Sequence, residues 1–461
     1  MNTRSRWLLI AVGLGVLLNP LNSSMISVAI ARLQNVYRLD YTAVSWIIFS
    51  FYIASAVAQP VMGKASDIFG RRKIFLTGLM VSFAASMLAP LSPSFGWLIV
   101  FRIVQSVGTS MMVAVGMAIV RIHITEKQAI ALSVMSIFLS GAAAVGPFIG
   151  GMLIHWWDWQ AIFFVNIPFV TASFVLAWRT IPKEEPPAAA AQGMSLRKWL
   201  EVMDAPGILL FTAGLVSLLI GLLSGKSSGS LSIVHVILVG IGLILLWIFV
   251  KFELKAASPF IPIRTFAKYP AMTWVNVQFM LVNVLFYAVF FGLPSYLQMV
   301  RQISEFHTGI LMLSLGLCSL AASPVAGRWI EQSGPRPALT VSAILMTFGS
   351  VWLVTLNQNS PVISVCVALA AFGISNGLNS VGMQAALFES SPKNIIGVAS
   401  GVFNTSRYLG TILSSLLIGI AMGNQFSAGG LRILGIILSV IALSLVFMSR
   451  RRLKSGQSEE M

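Results

Sequence analysis

Acidic side chains are scarce in this chain: fourteen Asp and Glu stand against thirty Lys and Arg in 461 residues. All fourteen fall in expected loops, tails or helix ends, so no carboxylate is expected deep in an apolar segment. The four histidines, His123, His155, His235 and His307, sit near the ends of apolar runs in the same way. Cys318 and Cys366 are the two cysteines, both inside apolar runs, which gives neither a disulfide framework nor a metal spacing. An enzyme needs a nucleophile, a metal site or an acid/base pair converging on a cavity, and no such grouping is present. No metal and no cofactor are expected. Charged residues make up 10% of the sequence and hydrophobic ones 57%, whereas globular domains carry about 25% charge. A water-soluble fold is thereby excluded. The net charge of +16 is spread over short loops instead of one face, which argues against nucleic acid as a partner.

What the chain has in quantity is long apolar runs. A membrane-spanning helix takes about 20 mostly apolar residues, and fourteen segments qualify: 7 to 31, 42 to 62, 74 to 92, 95 to 120, 129 to 154, 161 to 180, 206 to 224, 231 to 250, 270 to 299, 307 to 326, 338 to 356, 361 to 387, 395 to 422 and 431 to 449. The first follows Arg4 and Arg6 as a signal peptide would, but it is too long and no small-residue cleavage site follows, so it reads as the first span. Lys and Arg accumulate on cytoplasmic loops. With the N-terminus inside, 23 cations lie on inner loops and tails and five on the outer side, while Arg102 and Arg407 fall within helices. Missing a single span would invert every later loop and destroy that bias. The expected protein is an all-α integral membrane protein with both termini cytoplasmic and the lipid bilayer as its surroundings.

The connection from Ile181 to Ala205 carries Pro182, Pro186, Pro187 and four alanines and reads as a linker. The two apolar segments after it have almost no polar groups and look peripheral. The expected organisation is a six-helix bundle over 1–180, a cytoplasmic linker over 181–205, two additional helices over 206–250, a second six-helix bundle over 251–449 and a basic tail over 450–461.

One polar stretch interrupts the early spans, Gly63-Lys64-Ala65-Ser66-Asp67-Ile68-Phe69-Gly70-Arg71-Arg72-Lys73. It reads as a tight loop at the water boundary, with Gly63 and Gly70 for close helix approach and a sharp turn. Asp67 suits a facing helix N-terminus or an Arg. Gly327 to Arg336 repeats the order of Gly, acid four later, Gly seven later and then a cation. Two copies far apart mean two related halves, so the bundles are expected to be pseudo-symmetric. Farther on, Gly141, Gly146, Gly150 and Gly151 surround Pro147, whose missing amide weakens the helix ladder. That run reads as a packed, flexing interface.

These stretches resemble the major facilitator superfamily, and within it the fourteen-helix drug:proton antiporters of the multidrug exporter type. The 63–73 stretch is similar to that superfamily's signature between helices two and three. Arg102-Ile103-Val104-Gln105 resembles its helix-four Arg-x-x-Gln, with Ser106 where Gly is usual. Gly141 to Gly151 is similar to the helix-five signature of exporters. Trp159, Phe163, Asn166 and Pro168 match a further stretch of the subfamily, and Pro294, Tyr296, Leu297 and Gln298 match a motif in its second half. The departure is Asn22, which follows Leu21 where the subfamily usually has an acid and so removes a candidate proton carrier.

The resemblance implies a secondary active exporter of amphipathic small molecules or drugs, coupled to protons, with cargo bound at mid-depth between halves that rock. Arg102 and Arg407 are the sharpest residues. An intramembrane Arg costs about 2.5 to 3.5 kcal/mol by insertion scales and should face a cavity or a partner. Transport and coupling are assigned to Arg102, Asp67, Arg407 and Asn22, and gating to Gly63, Asp67, Gly70, Arg71, Arg72, Gly146, Pro147 and Gly150. Boundary acids such as Asp67, Glu389, Asp158 and Glu305 are the remaining proton carriers. Asn22, Tyr52, Gln59, Gln105, Asn276, Asn283, Tyr287, Asn376 and Asn404 outline a cavity, with Met and Phe side chains adding adaptable contacts. Two guanidinium groups without an intramembrane acid also suit an anionic cargo or an exchanger. A membrane-embedded lipid-modifying enzyme is the remaining, poorly supported class. A monomer in the cytoplasmic membrane is expected.

Overall fold

The computed structural model describes residues 3–124, 128–183, 201, 204–227, 233–256, 259, 261, 263–391, 396–422 and 427–450. Among them the ordered elements are helices, with no strand. In chain order they are α1 (Thr3–Val16), α2 (Leu18–Tyr37), α3 (Tyr41–Val44), α4 (Trp46–Phe69), α5 (Arg71–Leu88), α6 (Phe95–His123), α7 (Gln128–Trp157), α8 (Ala161–Phe164) and α9 (Asn166–Thr180). There follow α10 (Ala205–Ser227), α11 (Ile233–Glu253), α12 (Ile263–Lys268), α13 (Pro270–Met299), α14 (Glu305–Ser333), α15 (Pro335–Thr355), α16 (Val362–Ser390), α17 (Ile396–Met422) and α18 (Ala428–Arg450). Thirteen helical stretches among the described residues are long and apolar enough to cross a membrane, and Ala205–Gly221 is a shorter apolar one in α10. The chain is a multi-pass membrane protein.

Local breaks follow from proline chemistry. Pro20 cannot donate to the carbonyl of Val16, and the first span is interrupted between α1 and α2 at Leu17. Pro168 likewise cannot reach Phe164, and α8 and α9 part at Val165. Pro147 lies inside α7 without ending it.

Packing groups the spans. In the first part of the chain α2 packs on α7, α4 on α6, α5 on α6, and α5 on α9. In the last part α13 packs on α17, α14 on α16, α15 on α16, and α15 on α18. The same four pairings recur when the spans are numbered from each starting point. Contacts between the two groups run from α7 to α14, from α4 to α17 and from α2 to α13. Helices α10 and α11 pack on each other, and α10 touches α17, α3 and α4. Trp247, Ile244 and Ile233 leave much of α11 exposed, as a lipid-facing helix requires.

The stretch from Gly63 to Lys73 is not a loop. Helix α4 continues to Phe69, and a single residue, Gly70, separates it from α5. Nothing after Pro60 breaks the backbone ladder, so the helix runs on past its apolar part until Gly70 takes φ 91°, a conformation that favours glycine. Gly334 does the same between α14 and α15 with φ 73°. Gly63 departs from the expected close approach: a Cβ there would meet nothing within 4 Å, and Gly327 matches it. Most of the expected linker, residues 184–200, and the tail from 451 lie outside the described residues.

Candidate functional site

Side chains from α2, α6, α5 and α9 form one polar network. Asn22 and Asn166 exchange two hydrogen bonds, each amide nitrogen donating 2.8 Å to the other's oxygen. Asn22 also donates to the Leu18 carbonyl at 2.7 Å and Asn166 to that of Phe163 at 3.0 Å. Gln105 Nε2 donates to Asn22 Oδ1 at 3.2 Å and to Ser86 Oγ at 3.0 Å, and its Oε1 accepts from Arg102 at 2.8 Å. Arg102 is 1% exposed. Its guanidinium lies 4.3 Å from the Phe51 ring centre and 6.0 Å from that of Phe163, and its Nε makes no hydrogen bond among the described residues. The hydrogen bond of Arg102 is to Gln105 on its own helix, and Gln105 in turn reaches α2 and α5. Arg102 is therefore solvated by one amide and two ring faces, which offset part of the insertion cost.

Helix periodicity explains why these residues meet. Arg102, Gln105 and Thr109 lie three and four residues apart on one face of α6, and Thr109 accepts from Asn19 at 3.1 Å. Ser106 meets Ser55 of α4 at 2.7 Å. A Gly at 106, the usual residue of the resembled signature, would lack that tie.

A second cluster lies where α4, α13 and α17 meet. Tyr52, Tyr287 and Tyr408 are close, with ring centres 5.9 Å apart for Tyr52 and Tyr287 and 5.8 Å for Tyr52 and Tyr408. Phe291 stacks on Tyr287 at 5.7 Å. Gln59 donates to the Tyr408 hydroxyl, joining α4 to α17. Arg407 donates to the same hydroxyl at 3.3 Å with its guanidinium 5.1 Å from the Tyr408 ring centre.

The residues expected to outline one cavity are thus divided. Asn22 and Gln105 belong to the Arg102 network, whereas Tyr52, Gln59 and Tyr287 belong to the Arg407 cluster. Asn276 donates to the Met272 carbonyl and accepts from Ser406 at 3.1 Å, and Asn283 is turned onto its own helix toward Phe279. Asn376 bonds Ser319 at 2.9 Å, between α16 and α14, and Asn404 is half-buried. Most of these side chains are packed against one another, because helices in close contact satisfy amides directly.

The gating residues behave unequally. A Cβ at Gly146 would overlap Ser24 Oγ, and one at Gly150 would press on the Met25 backbone, so both let α7 approach α2. On another face Gly151 abuts the Glu305 backbone, Gly309 abuts Pro147, and Gly316 abuts Ala144, which brings α7 against α14. Gly141 packs against nothing within 4 Å, contrary to its expected place in that interface. Arg72 donates to the Trp178 carbonyl at 2.6 Å and lies over its ring. Arg71 is half-buried at the start of α5. The Asp67 side chain is outside the described residues. Among the boundary acids, Asp158 is held by Arg32 through two bonds of 2.8 and 2.7 Å. That hydrogen bonding keeps its carboxyl below the ordinary range. Glu305 begins α14 and Glu389 is exposed near the end of α16.

Sequence reasoning missed Tyr408, Ser86, Gly309 and Gly316. It noted Asn166 as part of a motif without pairing it with Asn22. It also gave no sign that Glu253, at the end of α11, is buried and accepts from the Ile261 amide at 3.2 Å.

Bent apolar helices around buried polar clusters define a membrane-embedded transporter. The chain belongs to the Major Facilitator Superfamily, whose family model matches residues 12–415 and 302–459. YwoD of Bacillus subtilis (strain 168), an uncharacterized MFS-type transporter, is 43% identical over 443 residues, covering 96% of each chain. The tetracenomycin C resistance and export protein of Streptomyces glaucescens is 26% identical over 423 residues, 90% of this chain and 76% of that one. The crystal structure of the human organic anion transporter MFSD10 (TETRAN) shares the fold, with a TM-score of 0.65 at 15% identity over 98% of this chain and 100% of that one.

Proposed function

We propose that this transporter is a secondary active exporter of amphipathic small molecules, a fourteen-span member of the drug:proton antiporter group working by alternating access in the cell membrane. In this reading residues 1–180 and 251–449 form two pseudo-symmetric bundles that rock about the α2–α13, α4–α17 and α7–α14 contacts, and α10 and α11 are peripheral. The termini are cytoplasmic, the chain acts as a monomer, and the coupling ion is the proton. No catalytic chemistry is assigned.

The observation that carries this reading is the meeting of Tyr52 and Gln59 of α4 with Tyr287 of α13 and Tyr408 of α17. Aromatic faces and hydroxyls from both proposed halves converge there, where an amphipathic cargo finds apolar area and a few polar partners. The relation to a resistance and export protein supports export. The packed clusters fit a conformer in which the halves are closed on each other, and Gly146, Gly150 and Gly151 let α7 slide against α2 and α14. The test is energised dye uptake by inverted vesicles containing the protein. Uptake that collapses when the pH gradient is discharged is the expected result, absence of uptake refutes export, and uptake indifferent to the gradient refutes proton coupling.

A second reading, an exporter or exchanger of anionic molecules, is favoured by one observation. Arg102 and Arg407 lie inside spanning helices, and among the described residues the ion pair is Arg32 with Asp158 at the boundary. An anion would complete the charge that the protein leaves unmatched.

A further inference from the structure

The glycine that does not fit the α7 interface points to a separate site. Gly141 faces open space, and that space is a crevice of about 280 Å³ whose walls include Leu17, Leu21, Phe138, Val145 and Phe169. Among the described residues its lining side chains are apolar. Its mouth is marked by Ile137, which is 61% exposed on the membrane side of α7. Leu17 is the residue at which Pro20 interrupts the first span, so the bend between α1 and α2 contributes a wall.

We propose that this crevice binds one hydrocarbon chain of a bilayer phospholipid between α2, α7 and α9. The hydrocarbon core that surrounds spanning helices supplies acyl chains and almost no water. Water needs polar partners that these walls lack, and an empty crevice forfeits dispersion contacts along its lining. An amphipathic cargo is a poorer occupant, because its polar end would find nothing to bond. Nearby polar groups are already engaged: Asn22 and Asn166 bond each other and flank the wall residues Leu21 and Phe169, and Ser24 donates to the carbonyls of the wall residues Leu21 and Ala142 at 3.0 and 3.4 Å. The chain would fill the space beside Gly141, at the edge of the contact that Ser24 of α2 makes with Ala142 and Gly146 of α7.

The test uses the full chain in nanodiscs made with a phospholipid carrying a photoreactive group near the end of one acyl chain. Adducts are mapped by mass spectrometry. Labelling concentrated on the segment around Ile137 to Val145 is expected, with most of it lost in Gly141→Leu, whose side chain fills the crevice. Gly240→Leu is the control: Gly240 also has nothing within 4 Å, but it lies on α11, and that variant should keep the crevice labelling. Gly141→Ala should give a partial loss and carries the test if the leucine variant fails to fold. Adducts spread evenly over exposed helices, or labelling unchanged in both Gly141 variants, would overturn the proposal. So would displacement of the label by a transported compound but not by unlabelled phospholipid, which would assign the crevice to cargo.

Discussion

Arg102 and Arg407 both lie inside spanning helices, about 10 Å from the Phe95 end of α6 and about 16 Å from the Ile396 end of α17 at 1.5 Å per residue, and their surroundings differ. Arg102 is sealed by an amide chain that stays within the first six spans, through Gln105, Asn22 and Asn166. Arg407 is half-buried and rests on Tyr408, whose hydroxyl also ties the second half to Gln59 of the first. A guanidinium held by partners of its own half suits a fixed positive charge. One held where α4 meets α17 would change partners if that contact opens as proposed. Among the described residues no carboxylate joins either cluster, so the partners seen at each charge are dipoles and ring faces.

The largest expected effect separates the two arginines. Arg102→Ala should lower transport of every cargo by at least about tenfold, equivalent to about 1.4 kcal/mol, because Gln105, Asn22 and Asn166 lose their anchor. Arg407→Ala should weaken anionic cargo selectively, and equal losses across cationic, neutral and anionic compounds would break the comparison. Next in size is the packing contrast on α7. Gly146→Ala should destabilise by about 1–3 kcal/mol through overpacking against Ser24, whereas Gly141→Ala should stay within about 0.5 kcal/mol, both read from thermal unfolding in detergent.

Asn22→Asp sharpens the comparison by placing a titratable group in the sealed network. Transport by that variant should acquire a pH dependence severalfold steeper than wild type in vesicles clamped at a series of internal pH values, and identical profiles would show that position 22 is not in the coupling path. Tyr408→Phe removes the hydroxyl shared by Gln59 and Arg407 and should cost about 1 kcal/mol in cargo affinity, measured by tryptophan quenching. The smallest effect is at the boundary. Because Arg32 lowers the Asp158 pKa, this pair contributes stability above the unfolded value of about 3.9 that is lost as pH falls through the folded one. With both side chains over a third exposed, the contribution is about 0–1 kcal/mol, and Asp158→Asn should unfold with correspondingly less change between pH 6 and pH 3.

The spans were legible because hydropathy is a local property: each run declares its own length, and the positions of α13 and α16 follow from it. The polar end of α4 was not, since a helix can outrun its apolar part and only the backbone at Gly70 stops it. Arg102 was legible as a residue that needs company, from the cost of its charge alone. Its company was not, because Asn22 and Asn166 are 144 positions apart and nothing in either local pattern names the other. Tyr408 was hidden differently: one aromatic among many is indistinguishable from packing until α4 and α17 are brought together. The small residues Gly309 and Gly316 of α14 were overlooked because the proline in α7 drew attention to only one side of a two-sided contact.

The two interrupted spans carry a last consequence. Pro20 and Pro168 each lie two residues from an asparagine of the Asn22–Asn166 pair, so two jointed rods are riveted to each other beside their joints. Leverage applied to one rod on one face of the membrane would reach the other through that rivet for as long as the pair holds, so that the two bends would swing together.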